Sequence, residues 1–246
     1  MLSEMPLFLF TLLGGLAAGI YGLTVIFPQK SEGKKQLVVP VVVIALLACG
    51  GIALLFHLGR PERMLLAFRN LNAGIAQEGW ATMAFGIVVA IDLVLVLTKK
   101  VTPKVLRIVG AIFGLVLVVA MANAYFAISV NKALHSPVTF ALFIFAAVAM
   151  GASFVGAFGE SEDKERLAKV ASAAGALLAV SIFLECLPFG EAGLSVIPFA
   201  LAGVVAAAGI ACCWLAPKKG TGFAYASFAL IVVAVVVSRY GFYLAI

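Results

Sequence analysis

The sequence predicts an all-α integral membrane protein, a single bundle of eight transmembrane helices that occupies residues 1–246 as one domain. Hydrophobic residues make up 64% of the chain, charged residues only 11%, and the mean hydropathy is +1.19. A soluble domain is nearer half apolar and a quarter charged, so this composition excludes an ordinary soluble protein. Eight apolar stretches are long enough to cross a bilayer core, which takes roughly 20 helical residues. They are too continuous for barrel strands, so we expect helices.

The predicted helices lie, in chain order, near residues 5–27, 37–58, 79–98, 104–127, 137–158, 167–187, 194–215 and 222–245. Helix-breaking residues fall at most of the breaks between them: Pro28 and Gly33, Gly59 and Pro61, Pro103, Pro137, Gly159, Pro188 and Gly190, and Pro217 and Gly220. Three other prolines, Pro6, Pro40 and Pro198, fall in first helical turns, where a missing N–H costs little. The prolines therefore agree with the apolar pattern.

The basic residues predict the orientation of the bundle. The odd-numbered loops carry Lys30, Lys34, Lys35, Lys99, Lys100, Lys104, Arg107, Lys164, Arg166, Lys169, Lys218 and Lys219, against Arg60, Arg63, Arg69 and Lys132 in the even-numbered loops. Positive loops stay in the cytoplasm, so both termini and the even-numbered loops are expected on the extracytoplasmic side. The net charge of +6 does not indicate nucleic-acid binding, because these residues lie in short separate loops and form no continuous face.

Cysteine and histidine are too sparse to predict a metal centre in this chain. Cys49, Cys186, Cys212 and Cys213 include no C-x-x-C pair, which argues against an iron–sulfur cluster or a zinc site. The two histidines, His57 at a helix end and His135 in a loop, are poorly placed to face each other across a haem. We therefore expect no haem, no iron–sulfur cluster and no other metal here.

One short connection concentrates the chemistry that the rest of the chain lacks. The segment His57-Leu-Gly-Arg60-Pro-Glu62-Arg63 follows the second helix, and Glu78 opens the third. An imidazole and a carboxylate at a membrane interface suit hydrogen bonding to a quinone ring and proton transfer during its oxidation. The combination favours this function, although His57 alone has an equally good role as a charge at a helix C-terminus.

Most of the other unusual polar residues belong to the same predicted side. Glu4, Tyr125, Glu185, Arg239 and Tyr243 all lie near extracytoplasmic helix ends. Each has a simpler interpretation: Arg239 reaches towards the interface, Tyr243 belongs to an aromatic belt, Glu4 marks a helix start and Glu185 marks the interface. Two further polar residues are interpreted separately. Asp92, near the cytoplasmic end of the third helix, is expected to be an interface acid rather than a proton relay, and His135 a surface residue.

These patches resemble the DmsC family, the membrane-anchor subunits of dimethyl sulfoxide reductase-type molybdoenzymes. The start of the chain is similar to the start of that family, through Glu4-x-Pro6-Leu7-x-x-Phe10-Thr11-Leu12-x-Gly14. The most recognisable motif of the family is similar to His57-Leu58-Gly59-x-Pro61 with Arg63. Glu78 matches an acid at that point, and Arg239-x-x-Phe242-Tyr243 resembles the end of the last helix. Two positions depart from the pattern: Gly15 replaces a common glutamine, and Asn123 stands where an arginine is usual.

The resemblance implies a subunit of the bacterial cytoplasmic membrane that binds menaquinol as its substrate and oxidises it. Electrons would pass to a four-cluster ferredoxin-like iron–sulfur subunit and then to a molybdopterin catalytic subunit, which performs the terminal reduction. His57 and Glu78 match family residues implicated at the quinol site. We add three residues to the candidate quinol site because of their own predicted positions: Arg60, Arg239 and Tyr243. Four further residues are supporting candidates for the same site: Glu4, Glu62, Arg63 and Tyr125. Docking of the catalytic subunits on the extracytoplasmic face is favoured, because it shortens the electron path.

Two other functions stay open at this point. A secondary transporter of a small anion or metabolite would place charges near the bilayer midplane, often in paired halves, whereas the polar residues here collect at one face and the halves show no obvious sequence echo. A purely structural anchor without quinol turnover is the third alternative.

Overall fold

The computed structural model of the chain describes residues 5–28, 36–57, 68–99, 102–128, 133–159 and 163–243, and these ranges contain eight α-helices and no strand. In chain order the helices are α1 Met5–Ile26, α2 Val38–His57, α3 Gly74–Lys99, α4 Lys104–Phe126, α5 Val138–Phe158, α6 Lys164–Glu191, α7 Ile197–Lys219 and α8 Thr221–Tyr243. All eight are long and apolar enough to span a membrane. The predicted all-α, multi-pass architecture is confirmed, whereas the orientation of the termini stays a prediction.

Three helices extend beyond their predicted ends, because apolarity alone marks helix ends poorly. Helix α3 begins at Gly74 instead of residue 79, since its polar first turns are packed inside the protein. Helices α6 and α7 continue through Pro188 and Pro217, each of which lies in a last turn, so the missing N–H bond and any kink affect only the end of the helix. Helix α7 then stops at Gly220, whose φ of 104° is in the region that glycine tolerates best.

The eight helices form two rings of four that share the same packing order. In the first quartet, α1–α4, each helix packs on the next and α4 closes the ring on α1; α5–α8 repeat this arrangement in the second quartet. The two quartets meet mainly where α1 packs on α5, and these two helices are the most buried in the bundle. Helix α4 also contacts α5, and α8 contacts α1. The chain thus has a structural repeat that its sequence does not reveal. Parallel repeats occur in some transporters, so the lack of a sequence echo is no argument against that alternative.

A backbone contact at Gly19 and Gly151 forms the joint between the quartets. A Cβ atom on Gly19 would overlap the carbonyl group of Ala147, and one on Gly151 would overlap the Gly19 backbone. Small residues allow transmembrane helices to approach this closely. The quartets are therefore held at a separation that only glycine permits at this crossing.

The bundle has two distinct ends. Each pair of consecutive helices is antiparallel, so α1, α3, α5 and α7 finish at one end, which we call the lysine-rich end because Lys99, Lys104, Lys164, Lys169, Lys218 and Lys219 lie there. The other is the terminus-bearing end, where α1 starts and α8 finishes. Near the lysine-rich end, Asp92 is buried and accepts hydrogen bonds from Tyr21 Oη (2.9 Å) and Thr102 Oγ1 (2.6 Å). Asp92 therefore ties α1 and the start of α4 to α3 inside the protein, and its place at the membrane interface stays a prediction.

Candidate functional site

A buried arginine is the centre of the polar cluster at the terminus-bearing end. Arg239 lies in the penultimate turn of α8 and is only 3% exposed. Its guanidinium carbon lies 3.9 Å from the centroid of the Phe143 ring on α5. Its Nη2 atom is 3.7 Å from where a Cβ would stand on Gly15 of α1, so glycine there leaves room for the guanidinium group. Helices α1, α5 and α8 together enclose this cation.

Glu78 of α3 lies in the same cluster and interacts electrostatically with Arg239. Its side chain is 1% exposed. Among the described residues, Glu78 Oε1 and Arg239 Nη1 have no hydrogen-bond partner, and the two groups form no direct salt bridge within 4.0 Å. A buried acceptor and a buried donor of opposite charge thus lie in one cluster with bonding capacity left over, which is expensive within a membrane and typical of functional residues.

Two tyrosines complete the cluster. The hydroxyl groups of Tyr125 on α4 and Tyr243 on α8 share a hydrogen bond, and both tyrosines are close enough to Arg239 to influence its charge. Tyr125 is buried against Phe143 and Phe242. Thr11 of α1 lies beside Tyr125 and donates to the carbonyl oxygen of Phe8 (3.1 Å). The cluster therefore combines a carboxylate, a guanidinium group and hydroxyl groups.

A polar rim next to Glu78 connects the cluster to the surface. Asn123 Nδ2 donates to Gln77 Oε1 (3.1 Å), and Gln77 Nε2 donates to the carbonyl oxygen of Leu71 (3.2 Å). Trp80 Nε1 donates to the carbonyl oxygen of Phe68 (3.3 Å), and the Phe68 ring packs on Gly79. These contacts fix the first turns of α3 and hence the position of Glu78.

The structure brings together the predicted residues Glu78, Tyr125, Arg239 and Tyr243 from three helices. The backbone of His57 ends α2, and its side chain lies outside the described part of the chain, as do Glu4, Arg60, Glu62 and Arg63. The interpretations of Arg239 as an interface cation and of Glu185 as an interface marker are wrong, because both side chains are buried. Glu185 Oε1 accepts a hydrogen bond from Thr139 Oγ1 (3.0 Å) within the second quartet.

His135 is exposed, stacks on Phe126 at 4.1 Å and contacts the Phe126 carbonyl oxygen through Nδ1 (2.7 Å), so its prediction as a surface residue is confirmed. Sequence reasoning missed Phe143, Thr11 and Gln77 as parts of the site. Phe143 and Thr11 lie inside long apolar stretches, and Gln77 precedes Glu78 without a motif of its own. The unusual charge of Arg239 in an apolar helix was the one signal that could have led to its neighbours.

Three or more His, Cys, Asp or Glu side chains do not converge as a metal site anywhere in the described ranges. The cluster itself has one carboxylate and one cation, a composition suited to binding a polar organic group with exchangeable protons.

Comparison with curated proteins finds no match. A family described as "DMSO reductase anchor subunit (DmsC)" matches residues 1–188, which include Glu78 and Tyr125 but not Arg239 and Tyr243. This match covers most of the chain and agrees with its eight membrane-spanning helices. The chain therefore belongs to the DmsC family of dimethyl sulfoxide reductase anchor subunits.

Proposed function

We propose that this multi-pass membrane protein, an anchor of a dimethyl sulfoxide reductase complex, oxidises menaquinol at the Glu78–Arg239 cluster. The electrons pass to an iron–sulfur subunit and on to a molybdopterin catalytic subunit, which the chain also tethers to the bacterial cytoplasmic membrane. Membership of the anchor family supports this function over a secondary transporter. The observation that carries the proposal is the burial of Glu78 and Arg239 in one cluster, where they interact electrostatically and each has an unsatisfied polar atom.

The chemistry of quinol oxidation matches this pair of groups. Oxidation of the quinol to the quinone releases two electrons and two protons from the two ring hydroxyl groups. Glu78 Oε1, a free acceptor among the described residues, is suited to take a hydrogen bond and then a proton from one hydroxyl group. Arg239 supplies a fixed positive charge that stabilises the ring oxygen as it loses its proton.

The second proton requires a second acceptor, and we assign it to His57. Its backbone ends α2, which packs on both α1 and α3, the helices that carry Thr11 and Glu78. An imidazole changes its charge near neutral pH, so it can accept a proton from a quinol and release it to water. Arg60, Glu62, Arg63 and Glu4 are supporting candidates for the same site on their sequence positions alone.

The Tyr125–Tyr243 pair is assigned to positioning. Its hydroxyl groups connect the end of α4 to the end of α8 and lie close to Arg239. The aromatic rings around it, Phe8, Phe143 and Phe242, form an apolar wall suited to a flat naphthoquinone ring.

The test compares two buried glutamates in the complete membrane-bound complex. Glu78→Gln should lower oxidation of a menaquinol analogue at least about a hundredfold, as expected for loss of a general base. Glu185→Gln is the matched control, because Glu185 is also buried with an unsatisfied oxygen but lies in the second quartet. An artificial donor that reduces the catalytic subunit directly should sustain normal turnover in both variants. Equal quinol oxidation by Glu78→Gln and wild type would overturn the site.

A further inference from the structure

A cavity of about 180 Å³ opens inside the lysine-rich end of the second quartet, far from the Glu78–Arg239 cluster. All four helices α5–α8 line it, mainly through small side chains such as Ala152, Gly156, Ala171, Cys213, Ala224 and Ser227. Three polar side chains of the lining are engaged with backbone carbonyl oxygens: Ser227 Oγ donates to Gly209 (2.9 Å), Ser153 Oγ to Ala149 (2.7 Å) and Cys213 Sγ to Ala168 (3.6 Å). The cavity is therefore suited to an apolar occupant.

The cavity begins beside the first turn of α6 and continues along the helices towards the middle of the bundle. Lys164, the first residue of α6, lines its mouth, and Ala171 lines its interior. At 1.5 Å per residue these two positions differ in depth by roughly 10 Å. An occupant that follows the cavity thus has a charged neighbour at one end and mainly small, apolar neighbours at the other.

A shallower depression adjoins the mouth and lies between α6 and α7. It shares Lys164, Ala168 and Pro217 with the cavity and adds Lys169, Trp214 and Lys218. Trp214 is more than half exposed, as expected for an indole at the level of lipid headgroups. The depression and the cavity therefore border each other at these three shared residues, with a basic outer part and a mainly apolar inner part.

Two acids border the depression, and both are engaged with other groups. Asp163 Oδ1 accepts a hydrogen bond from the Arg166 backbone N–H (2.9 Å) and caps α6, and Glu165 Oε1 lies 3.0 Å from Lys169 Nζ. Within the part of the chain that the structure describes, no carboxylate lies within 4.0 Å of the ammonium group of Lys164 or Lys218. The described lining of the depression thus contains three lysines and two acids, and Lys164 and Lys218 are its cations without a carboxylate partner.

We propose that this site binds one anionic phospholipid of the leaflet at the lysine-rich end. Its phosphate lies between Lys164 and Lys218, and one acyl chain enters the small-residue cavity. A phospholipid joins a phosphate directly to hydrocarbon chains, which matches the order of cations and apolar surface along the site. The site is separate from quinol oxidation, and the inference does not depend on that function.

Native mass spectrometry of the delipidated full-length chain, with its accompanying subunits, tests the headgroup. The probes are phosphatidylglycerol and phosphatidylcholine with identical acyl chains. Wild-type protein should retain one phosphatidylglycerol in preference to phosphatidylcholine, and Lys164→Gln/Lys218→Gln should weaken this about tenfold. Lys99→Gln/Lys104→Gln makes the same charge change at the same end of the bundle and should bind as wild type. Equal losses in both double variants would show diffuse charge attraction and overturn the site.

A second comparison tests the acyl chain. Gly156→Leu projects a side chain into the cavity, where the nearest atom to its Cβ is 4.0 Å away, so the fold should tolerate it. Gly86→Leu is the control, with nothing within 4 Å of its Cβ. Phosphatidylglycerol retention should fall in the first variant only, and millimolar inorganic phosphate should not displace the lipid. Unchanged retention by Gly156→Leu, or displacement by phosphate, would refute insertion of the chain.

Discussion

The Arg239 guanidinium group lies on the face of the Phe143 ring, 3.9 Å from its centroid, and this contact joins α8 to α5. A cation over an aromatic face is stabilised by about 2 kcal/mol when both are desolvated, as they are here. Phe143 therefore determines where the positive charge of the cluster is held.

Replacing the ring should disturb the site without removing any polar group. Phe143→Leu is expected to raise the KM for a menaquinol analogue several-fold, because the guanidinium group loses its support. Turnover with a donor that reduces the catalytic subunit directly should stay normal. Phe154→Leu, in the aromatic group at the opposite end of the same helix, should leave the KM unchanged. The measurement is steady-state kinetics on membranes, and equal KM values for both variants would contradict the assignment.

Glu78 and Arg239 should show energetic coupling in a double-mutant cycle. Removing either charge leaves the other buried without an opposite charge, whereas removing both leaves no buried charge to destabilise the protein. Glu78→Gln/Arg239→Gln should therefore be less destabilised than the sum of the single variants, by roughly 0.5–3 kcal/mol. Denaturant unfolding in mixed micelles provides the values. Strict additivity would mean that the two groups do not interact.

The Gly19–Gly151 joint predicts opposite effects for two glycines only one turn apart. Gly19→Ala places a methyl group into the backbone of α5 and should destabilise the protein by at least about 1–3 kcal/mol. Gly22→Ala meets nothing within 4 Å and should be neutral or stabilising by up to about 1 kcal/mol, since alanine favours helices. Thermal unfolding in detergent distinguishes them, and similar shifts for both would refute the close crossing.

Asp92 should prove important for stability and irrelevant to quinol oxidation. Asp92→Asn removes one of the two acceptor oxygens used by Tyr21 and Thr102, and we expect a loss of about 1–3 kcal/mol. Quinol oxidation per folded complex should be unchanged, because Asp92 lies near the end of α3 opposite to Glu78. A selective loss of quinol activity would instead restore the proton-relay interpretation.

The sequence was sufficient for the number of helices and for most residues of the cluster, and the reason is physical. Lipid forces the backbone into helices of a minimum length, so hydropathy alone locates them. Charges at membrane depth are costly, so Glu78 and Arg239 are conspicuous in any apolar stretch. Phe143 and Thr11 have no such signal, because their role depends only on which helices meet.

The burial of Asp92 and Glu185 could not be predicted for a related reason. A carboxylate near a helix end can lie at the membrane interface or inside the protein. Which of the two it does depends on the side chains that neighbouring helices place around it. For Asp92 the deciding groups are Tyr21 and Thr102, and for Glu185 it is Thr139. The repeat of two quartets was hidden because small residues preserve packing without preserving sequence.

The distribution of the cluster over both quartets has a consequence for the order of synthesis. Translation produces Glu78 early, whereas Arg239 emerges only with the last helix. Until α8 inserts, the nascent bundle contains an acid whose partner charge does not yet exist, and its first seven helices lack the contact that closes the second ring. Insertion of α8 supplies the partner charge and the ring-closing contact together. A chain that stops before α8 would thus carry an exposed defect that membrane proteases can recognise, and only complete chains would present the finished site.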